Sequence, residues 1–276
     1  MILSFNPVIV ADENRIVAGR EPDDNDAAAI RRADAIILPQ GCREALYRLA
    51  TAHGAPVFPD FSARFAFPGK TGQARLFRHT AVKHPRTLVF ERVDQAWSPP
   101  MALPFVFKQD WGGEGEAVFL ISDRHDYDTA LEAAARLEKS GHRGFIVQEF
   151  IPSGGRSVRV VVIGTQRIAY WRVAAPDKDD FKASLSAGGT IDWTSDPDRL
   201  AAAVSAVDDL CSKTDINLAG MDLLFAEEKA DPEPYFLEIN YFFGRHGIGG
   251  ASAFYRLFAE AVTAWLSSKG LTIDHV

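Results

Sequence analysis

Apolar positions along the chain follow two periods, and the switches between them mark the elements. ADAIILPQ, Ala33 to Gln40, is a short apolar run closed by Pro and Gly and predicts a buried strand. GCREALYRLATAHG, Gly41 to Gly54, places Leu46, Leu49 and Ala50 at helical spacing and stops at Gly54. APVFP, Ala55 to Pro59, predicts the next strand. This strand–helix–strand rhythm points to a small α/β unit with parallel strands. From Lys70, GKTGQARLFRHTAVKHP is amphipathic and basic and predicts a helix running towards Pro85. LPFVFKQD, Leu103 to Asp110, and AVFLIS predict strands on either side of the glycine-rich WGGEGEA. Asp126 to Ser140 carries Ala130, Leu131, Ala134 and Leu137 on one helical face, with Gly141 beyond its end. FIVQEFI, SVRVVVIG and RIAYWRVA are three further strand-like runs. Asp196 as N-cap and Pro197 at the first helical position open a helix to about Lys213. AGMDLLF and YFLEIN are strands joined by the polar AEEKADPEP, and Phe254 to Ser268 is a closing helix ended by Gly270. The last two-thirds therefore reads as α+β, with consecutive strands that favour antiparallel sheets.

Composition narrows the class without changing this picture. The chain has 276 residues, 47% hydrophobic and 24% charged, which fits a folded, water-soluble protein. A net charge of −7 argues against non-specific nucleic-acid binding, which needs a basic surface. Cys42 and Cys211 are the only cysteines and make no disulfide framework, so a reducing cytoplasm is expected. The start, MILSFNPVIVADENR, lacks a basic leader and meets Asp12 and Glu13 too early for a secretory signal. No run approaches the roughly 20 apolar residues of a membrane helix.

Candidate chemistry sits where polar residues interrupt apolar strands. Lys108 ends a strand and is followed by Gly112, Gly113 and Gly115. Glycines let backbone N–H groups approach phosphate and lysine supplies a point charge, although a hairpin with a snorkelling lysine would look the same. The PGKT at Pro68 to Thr71 is not a phosphate-binding Walker loop, because Arg64 stands where that motif has a glycine. Arg159 alternates with valines, and Arg172 shares a face with Ile168 and Tyr170. Arginines on sheet strands are costly unless they meet anions, either local carboxylates or a bound phosphate or carboxylate. DKDDFKASLSAGG, from Asp177 and including Lys182, reads as a polar surface loop. In YFLEIN, Glu238 and Asn240 lie two apart and so share a face; if this strand pairs with AGMDLLF, Asp222 can face Glu238. Oxygen donors from Asp, Glu and Asn suit Mg²⁺, the alternative being a solvent-facing strand pair.

The order of these pieces resembles the ATP-grasp superfamily, and within it the glutathione synthetase and RimK-like carboxylate–amine ligase branch. The resemblance spans roughly Phe58 to Gly249. It implies an α/β N-terminal domain (residues 1–65), an ATP-grasp subdomain with a glycine-rich flap (66–150) and a C-terminal subdomain with the metal site (151–276), the nucleotide lying between the last two. By position, Lys70 and Lys108 match lysines on the ATP phosphates, and Gly112, Gly113 and Gly115 the closing flap. Gln148, Glu149, Phe150 and Ile151 match the hinge that reads adenine. Arg159, Arg172 and Lys182 match basic groups around the transferred phosphate, and Asp222, Glu238 and Asn240 the ligands of Mg²⁺, with Mn²⁺ as a substitute. Three departures stand out. Ser157 replaces the family's ribose-binding acid, Ser184 an asparagine near the γ-phosphate, and Tyr241, Phe242 and Phe243 the small residues that usually follow Glu-x-Asn. Arg245 and His246, next in sequence, could bind a substrate carboxylate or form a plain surface loop. The implied activity is an ATP- and Mg²⁺-dependent ligase joining a small-molecule carboxylate to an amine or thiol through an acyl phosphate, as a cytoplasmic homodimer or tetramer. A kinase of a small hydroxyl substrate and a non-catalytic ATP-binding regulator are the alternatives.

Overall fold

The computed structural model describes residues 1–110, 117–175, 188–227 and 232–273. Three sheets organise it. The first is built from β1 (Ile2–Ser4), β2 (Glu13–Asn14), β3 (Ala35–Ile37) and β4 (Val57–Phe58), in the order β2-β1-β3-β4 with every pair parallel. Helices α1 (Asp24–Arg32) and α2 (Glu44–Thr51) make the crossovers, as the strand–helix–strand rhythm requires. The helix α1 opens on a capping box in which Asp23 and Asp26 accept each other's backbone N–H. Asp26 is fully buried; Arg20 and Arg15 donate to it at 2.6 and 2.8 Å. Burial alone would raise its pKa, but these donors and the Asp23 amide hold the carboxyl well below the usual range.

Two short helices, α3 (Ser62–Ala66) and α4 (Gly69–His79), lead to the second sheet. Its strands are β5 (Thr87–Phe90), β6 (Phe105–Gln109), β7 (Val118–Ile121) and β8 (Phe145–Glu149), all antiparallel in the order β5-β8-β6-β7. The helix α5 (Arg124–Lys139) buries Tyr127, Ala130 and Ala134 against Phe105, Phe107, Ile121 and Phe145. The rings of Phe107 and Phe145 stack at 4.6 Å.

The third sheet contains β9 (Arg156–Ile163), β10 (Gln166–Val173), β11 (Thr190–Asp192), β12 (Leu218–Leu224) and β13 (Tyr235–Asn240), antiparallel in the order β11-β10-β9-β12-β13. Both faces are covered. Val158, Val160 and Val162 share a core with α6 (Pro197–Thr214), whereas Val161 and Ile163 pack with α7 (Gly250–Ser267). Double coverage explains why β9 is a nearly continuous apolar run. Arg159 interrupts it on the α7 face. The first sheet contributes to both cores, through Leu3 and Ile36 on one side and Ile2 and Ile37 on the other.

Several boundaries differ from the sequence expectations. The helix α4 ends at His79 rather than near Pro85, because Ala81 takes a left-handed conformation (φ 54°) and turns the chain. Asp196 stands at the N-cap of α6 but does not cap it; its carboxylate accepts from Arg156 Nη1 at 2.7 Å instead. The helix α7 begins at Gly250, one turn before Phe254. The strands β1, β2, β5 and β11 and the helices α1 and α3 had no strong periodic signal, being two to nine residues long.

Candidate functional site

Asp222, Arg159, Arg172 and Asn240, singled out on separate strands, meet in the third sheet. The strands β12 and β13 pair in antiparallel register with Asp222 opposite Glu238 and Gly220 opposite Asn240, and a bulge follows Asp222. On its other side Asp222 lies opposite Arg159 of β9. Asp222 is 6% exposed, and its two oxygens are engaged by three side chains. Oδ1 accepts from Arg159 Nε and lies 2.8 Å from Arg172 Nη2. Oδ2 accepts from Arg159 Nη2 at 2.9 Å and from Asn240 Nδ2 at 3.0 Å. Burial would raise the Asp222 pKa, but the two guanidinium charges lower it instead. The anion that these two arginines demand is thus, in this structure, a carboxylate of the same sheet. Gly220 makes room for it: a Cβ there would stand 2.9 Å from Arg159 Nη1 and 2.7 Å from Phe243 Cβ.

Two lysines approach from the preceding elements. Lys70, in the first turn of α4 and 9% exposed, brings Nζ to 3.9 Å from Glu238 Oε1. Lys108, on β6, feels Glu238, Lys70 and Asp222, but burial dominates and pushes its pKa down to about 8. Two residues not singled out from the sequence hold α4 in place. The Asp110 carboxylate accepts the Thr71 backbone N–H at 2.7 Å, supplying the cap that Pro68 cannot. The side chain of Gln73 imitates a neighbouring strand: its Oε1 accepts from Ile239 N at 2.8 Å and its Nε2 donates to Ile239 O at 2.9 Å. Gln73 lies three residues after Lys70, hence on the same helical face, which is the one signal that could have found it. Asp110→Ala should lower the melting temperature by an amount matching about 1 kcal/mol, because it frees the turn carrying Lys70. Unchanged melting would show that Asp110 does not hold this turn.

The remaining predicted residues fall around this cluster. Gln148 is buried at the end of β8 and donates to Thr87 Oγ1 at 3.0 Å, so its side chain serves the sheet. Glu149 is exposed, and its carboxylate accepts from Arg86 N at 3.2 Å. Phe150 and Ile151 follow as partly buried residues in the link to β9. Ser157 lies directly opposite Arg172, and both present buried atoms that bond to nothing in the described chain, Ser157 Oγ and Arg172 Nε. Gly112, Gly113, Gly115, Lys182 and Ser184 lie outside the described residues. Arg245 donates to Tyr255 Oη at 3.0 Å and its guanidinium lies 4.2 Å from the centre of the Phe254 ring. His246 opens a short 3₁₀ turn, His246–Ile248.

Among the described residues no three His, Cys, Asp or Glu side chains gather as a metal cluster. The Asp222, Glu238 and Asn240 set brings two carboxylates and an amide together on one strand pair, and oxygen donors of these kinds suit a hard divalent cation. The Glu238 side chain is 35% exposed, and among the described residues its one ion pair is with Lys70 at 3.9 Å. Asn240 would have to turn its amide so that Oδ1 rather than Nδ2 faces the ion. With that rotation the donor set fits.

The model of the RimK-like ATP-grasp domain matches residues 71–252. The chain belongs to the RimK-like ATP-grasp family. The matched span opens one residue after Lys70 and contains the whole carboxylate–arginine cluster. Among curated proteins, a glutamate–LysW ligase, ArgX, from Sulfurisphaera tokodaii is 30% identical over 87 residues, which is 32% of this chain and 30% of that relative. The chain therefore aligns with less than a third of that ligase. Solved structures share the RimK-like fold over nearly the whole length. An ATP-grasp RimK domain protein from Sphaerobacter thermophilus superposes with a TM-score of 0.63 at 18% identity, covering 94% of this chain and 98% of its own. A D-alanine–D-alanine ligase from Bacillus anthracis gives 0.63 at 14% identity, covering 94% and 90%. The D-cycloserine synthetase DcsG gives 0.60 at 18%, covering 95% and 97%. No helix among the described residues is long and apolar enough to cross a membrane.

Proposed function

We propose that this protein is an ATP-dependent ligase that joins a small-molecule carboxylate to an amine through an acyl phosphate. The observation that carries the reading is the convergence of opposite charges from two sheets. Lys70 and Lys108 come from α4 and β6, and Glu238, Asp222, Arg159 and Arg172 from the third sheet. Such a cluster is costly inside a protein unless a polyanion and its counter-ion share it.

In this reading Lys70 and Lys108 hold the ATP phosphates, and Gln148 to Ile151 present backbone groups to the adenine edge. Ser157 offers its unpartnered hydroxyl to the ribose. A substrate carboxylate oxygen attacks the γ-phosphorus as the bond to the ADP oxygen breaks, giving an acyl phosphate. Arg159, Arg172 and Lys182 neutralise the charge that spreads over the transferred group. The amine nitrogen then attacks the acyl carbon, loses a proton, and inorganic phosphate leaves. Mg²⁺, held by Asp222, Glu238 and Asn240, would supply Lewis-acid neutralisation of phosphate oxygens. The glycine flap, Gly112 to Gly115, would exclude water that otherwise hydrolyses the acyl phosphate. The division of the chain at 65/66 and 150/151 belongs to the same proposal, supported by the fall of the three sheets within residues 2–58, 87–149 and 156–240. A cytoplasmic location is supported by Cys42 and Cys211, both free and buried.

The test is ADP release with Mg²⁺ over pairs of amino acids, small peptides and polycarboxylates, with mass analysis of products. Inorganic phosphate with a joined product is the expected result. A stable phosphoester would replace the ligase reading by a kinase, and ATP binding without ADP formation by a regulatory role.

The pH dependence follows from Lys108. Its folded pKa, about 8, is below the ordinary lysine value of 10.5, so its charge in the free protein is lost as pH rises through about 8. Between those values the unfolded chain binds more protons, so this lysine makes stability rise with pH while phosphate affinity falls. The dissociation constant for ATP should climb above pH 8 in the wild type and stay flat in Lys108→Met. A wild-type profile flat to pH 9.5 would remove Lys108 from the phosphate site.

A further inference from the structure

Arg64 lies outside the cluster described above, on α3 at the junction of the first and third sheets. Its guanidinium carbon stands 4.8 Å from the Phe242 ring centre, 5.0 Å from Phe65, 5.2 Å from Phe61 and 5.9 Å from Tyr241. Of its five N–H donors, one on Nη1 reaches a carbonyl, Gln40 O, at 3.3 Å. No carboxylate lies within ion-pair distance among the described residues. Burial pushes its pKa down, whereas Arg159, paired with Asp222, moves up. A partly buried guanidinium without a counter-anion among the described residues has lost solvation that rings repay only in part, and the chain, at net charge −7, has carboxylates that could have paired it.

The position of this cation gives it a use. Tyr241 and Phe242 directly follow Asn240, the last residue of β13. Gln40 ties the first sheet to that point, donating from Nε2 to Tyr241 O at 2.9 Å. Tyr241 is buried, whereas Phe242 is 64% exposed with its ring 3.8 Å from where a Cβ on Gly41 would stand. A ring open to solvent, two residues along the chain from Asn240, and a guanidinium with free donors thus stand 4.8 Å apart.

We propose that Arg64 is a substrate-specificity residue that binds a non-reacting carboxylate of a substrate, with the substrate's carbon chain lying on Phe242. This rests on the ligase reading for the word substrate. A guanidinium fork takes a planar carboxylate through two parallel hydrogen bonds, and the rings that cover its face leave its edge free to make them. The carboxylate belongs either to the acid that is activated, which then carries two acid groups, or to an amino acid that serves as acceptor amine. The ordinary alternative is a cation–π staple between α3 and the Tyr241–Phe242 loop.

Calorimetry on the full chain with saturating ADP and Mg²⁺ separates these, using succinate, L-glutamate, L-alanine and propylamine as probes. At least one carboxylate probe should bind the wild type, and Arg64→Met should weaken it tenfold or more, with Arg64→Lys in between because it keeps the charge and loses the fork. Dependence of succinate on Arg64 assigns the carboxylate to the activated acid, and dependence of L-alanine alone assigns it to the acceptor. Propylamine, which has no carboxylate, should not respond. The proposal is overturned if the wild type binds none of the carboxylates, or if Arg64→Met and Arg64→Lys change their affinities less than twofold. A shifted melting temperature with unchanged binding leaves only the staple. Should Arg64→Met fail to fold, Arg64→Lys carries the comparison alone. Because binding is read without turnover, Arg64-dependent binding in a protein that forms no ligated product would sink the ligase reading and leave this site standing.

Discussion

Asp222→Ala should abolish Mg²⁺-dependent ATP turnover and also cost about 3–5 kcal/mol of stability, whereas Glu238→Ala should abolish turnover with little loss of stability. The two carboxylates face each other across β12 and β13, and both are assigned to one metal site by the proposed function. Their surroundings differ. Asp222 is buried and satisfies Arg159, Arg172 and the Asn240 amide at once, so its removal strands two partly or fully buried guanidinium groups. Glu238 is 35% exposed and, among the described residues, its one ion pair is with Lys70 at 3.9 Å, a pair worth well under about 1 kcal/mol. Urea denaturation with an ADP-release assay measures both effects. Equal destabilisation by the two variants would contradict the arginine-locked geometry, and full turnover in either would remove that residue from the metal site.

Gly72→Ala should destabilise the protein although alanine is the better helix former. A Cβ at Gly72 would stand 2.3 Å from the Phe67 carbonyl carbon and 2.6 Å from its oxygen. Both are backbone atoms, so no side-chain rotation relieves the clash. The gain in helix propensity is about 1 kcal/mol, and overpacking of this kind costs roughly 1–3 kcal/mol or more, so the loss wins. The helix that must shift is α4, which carries Lys70 at its start and Gln73, the clamp on Ile239. Nucleotide affinity should therefore fall together with the melting temperature. A raised melting temperature would show that the close approach of Phe67 to α4 is not kept in solution.

Much of the candidate site was legible because strands have a period of two. Glu238 and Asn240 had to share a face, and a polar pair in an apolar strand had to be solvated or used. The pairing of Asp222 with Glu238 was conditional on these two strands forming a hairpin, and the register of β12 and β13 meets that condition. What was not legible is that Arg159 and Arg172 both close on Asp222. Register between β9, β10 and β12 brings them there, and no local pattern encodes register across a sheet that is covered on both faces. Asp110 and Gln73 escaped notice for a related reason. A carboxylate that caps a helix in a different segment, 39 positions from Thr71, has no spacing rule to betray it. Gln73, 166 positions from Ile239, is the same case.

The first sheet shows the limit in another form. Its strands are two or three residues long, below the length at which alternation can be read, so β3 and β4 were found through their apolar runs and Gly–Pro boundaries while β1 and β2 were not. The sequence by itself determined the element types of the long segments, the shared face of Glu238 and Asn240 on β13 and the order of motifs that marks the RimK-like ATP-grasp family. Tertiary structure alone decided which charges meet: Asp222 with two arginines, Lys70 with Glu238, and Arg64 with four rings and, among the described residues, no carboxylate. Periodicity is a property of neighbours along the chain, but the cost of a buried charge depends on what lies within about 4 Å in space.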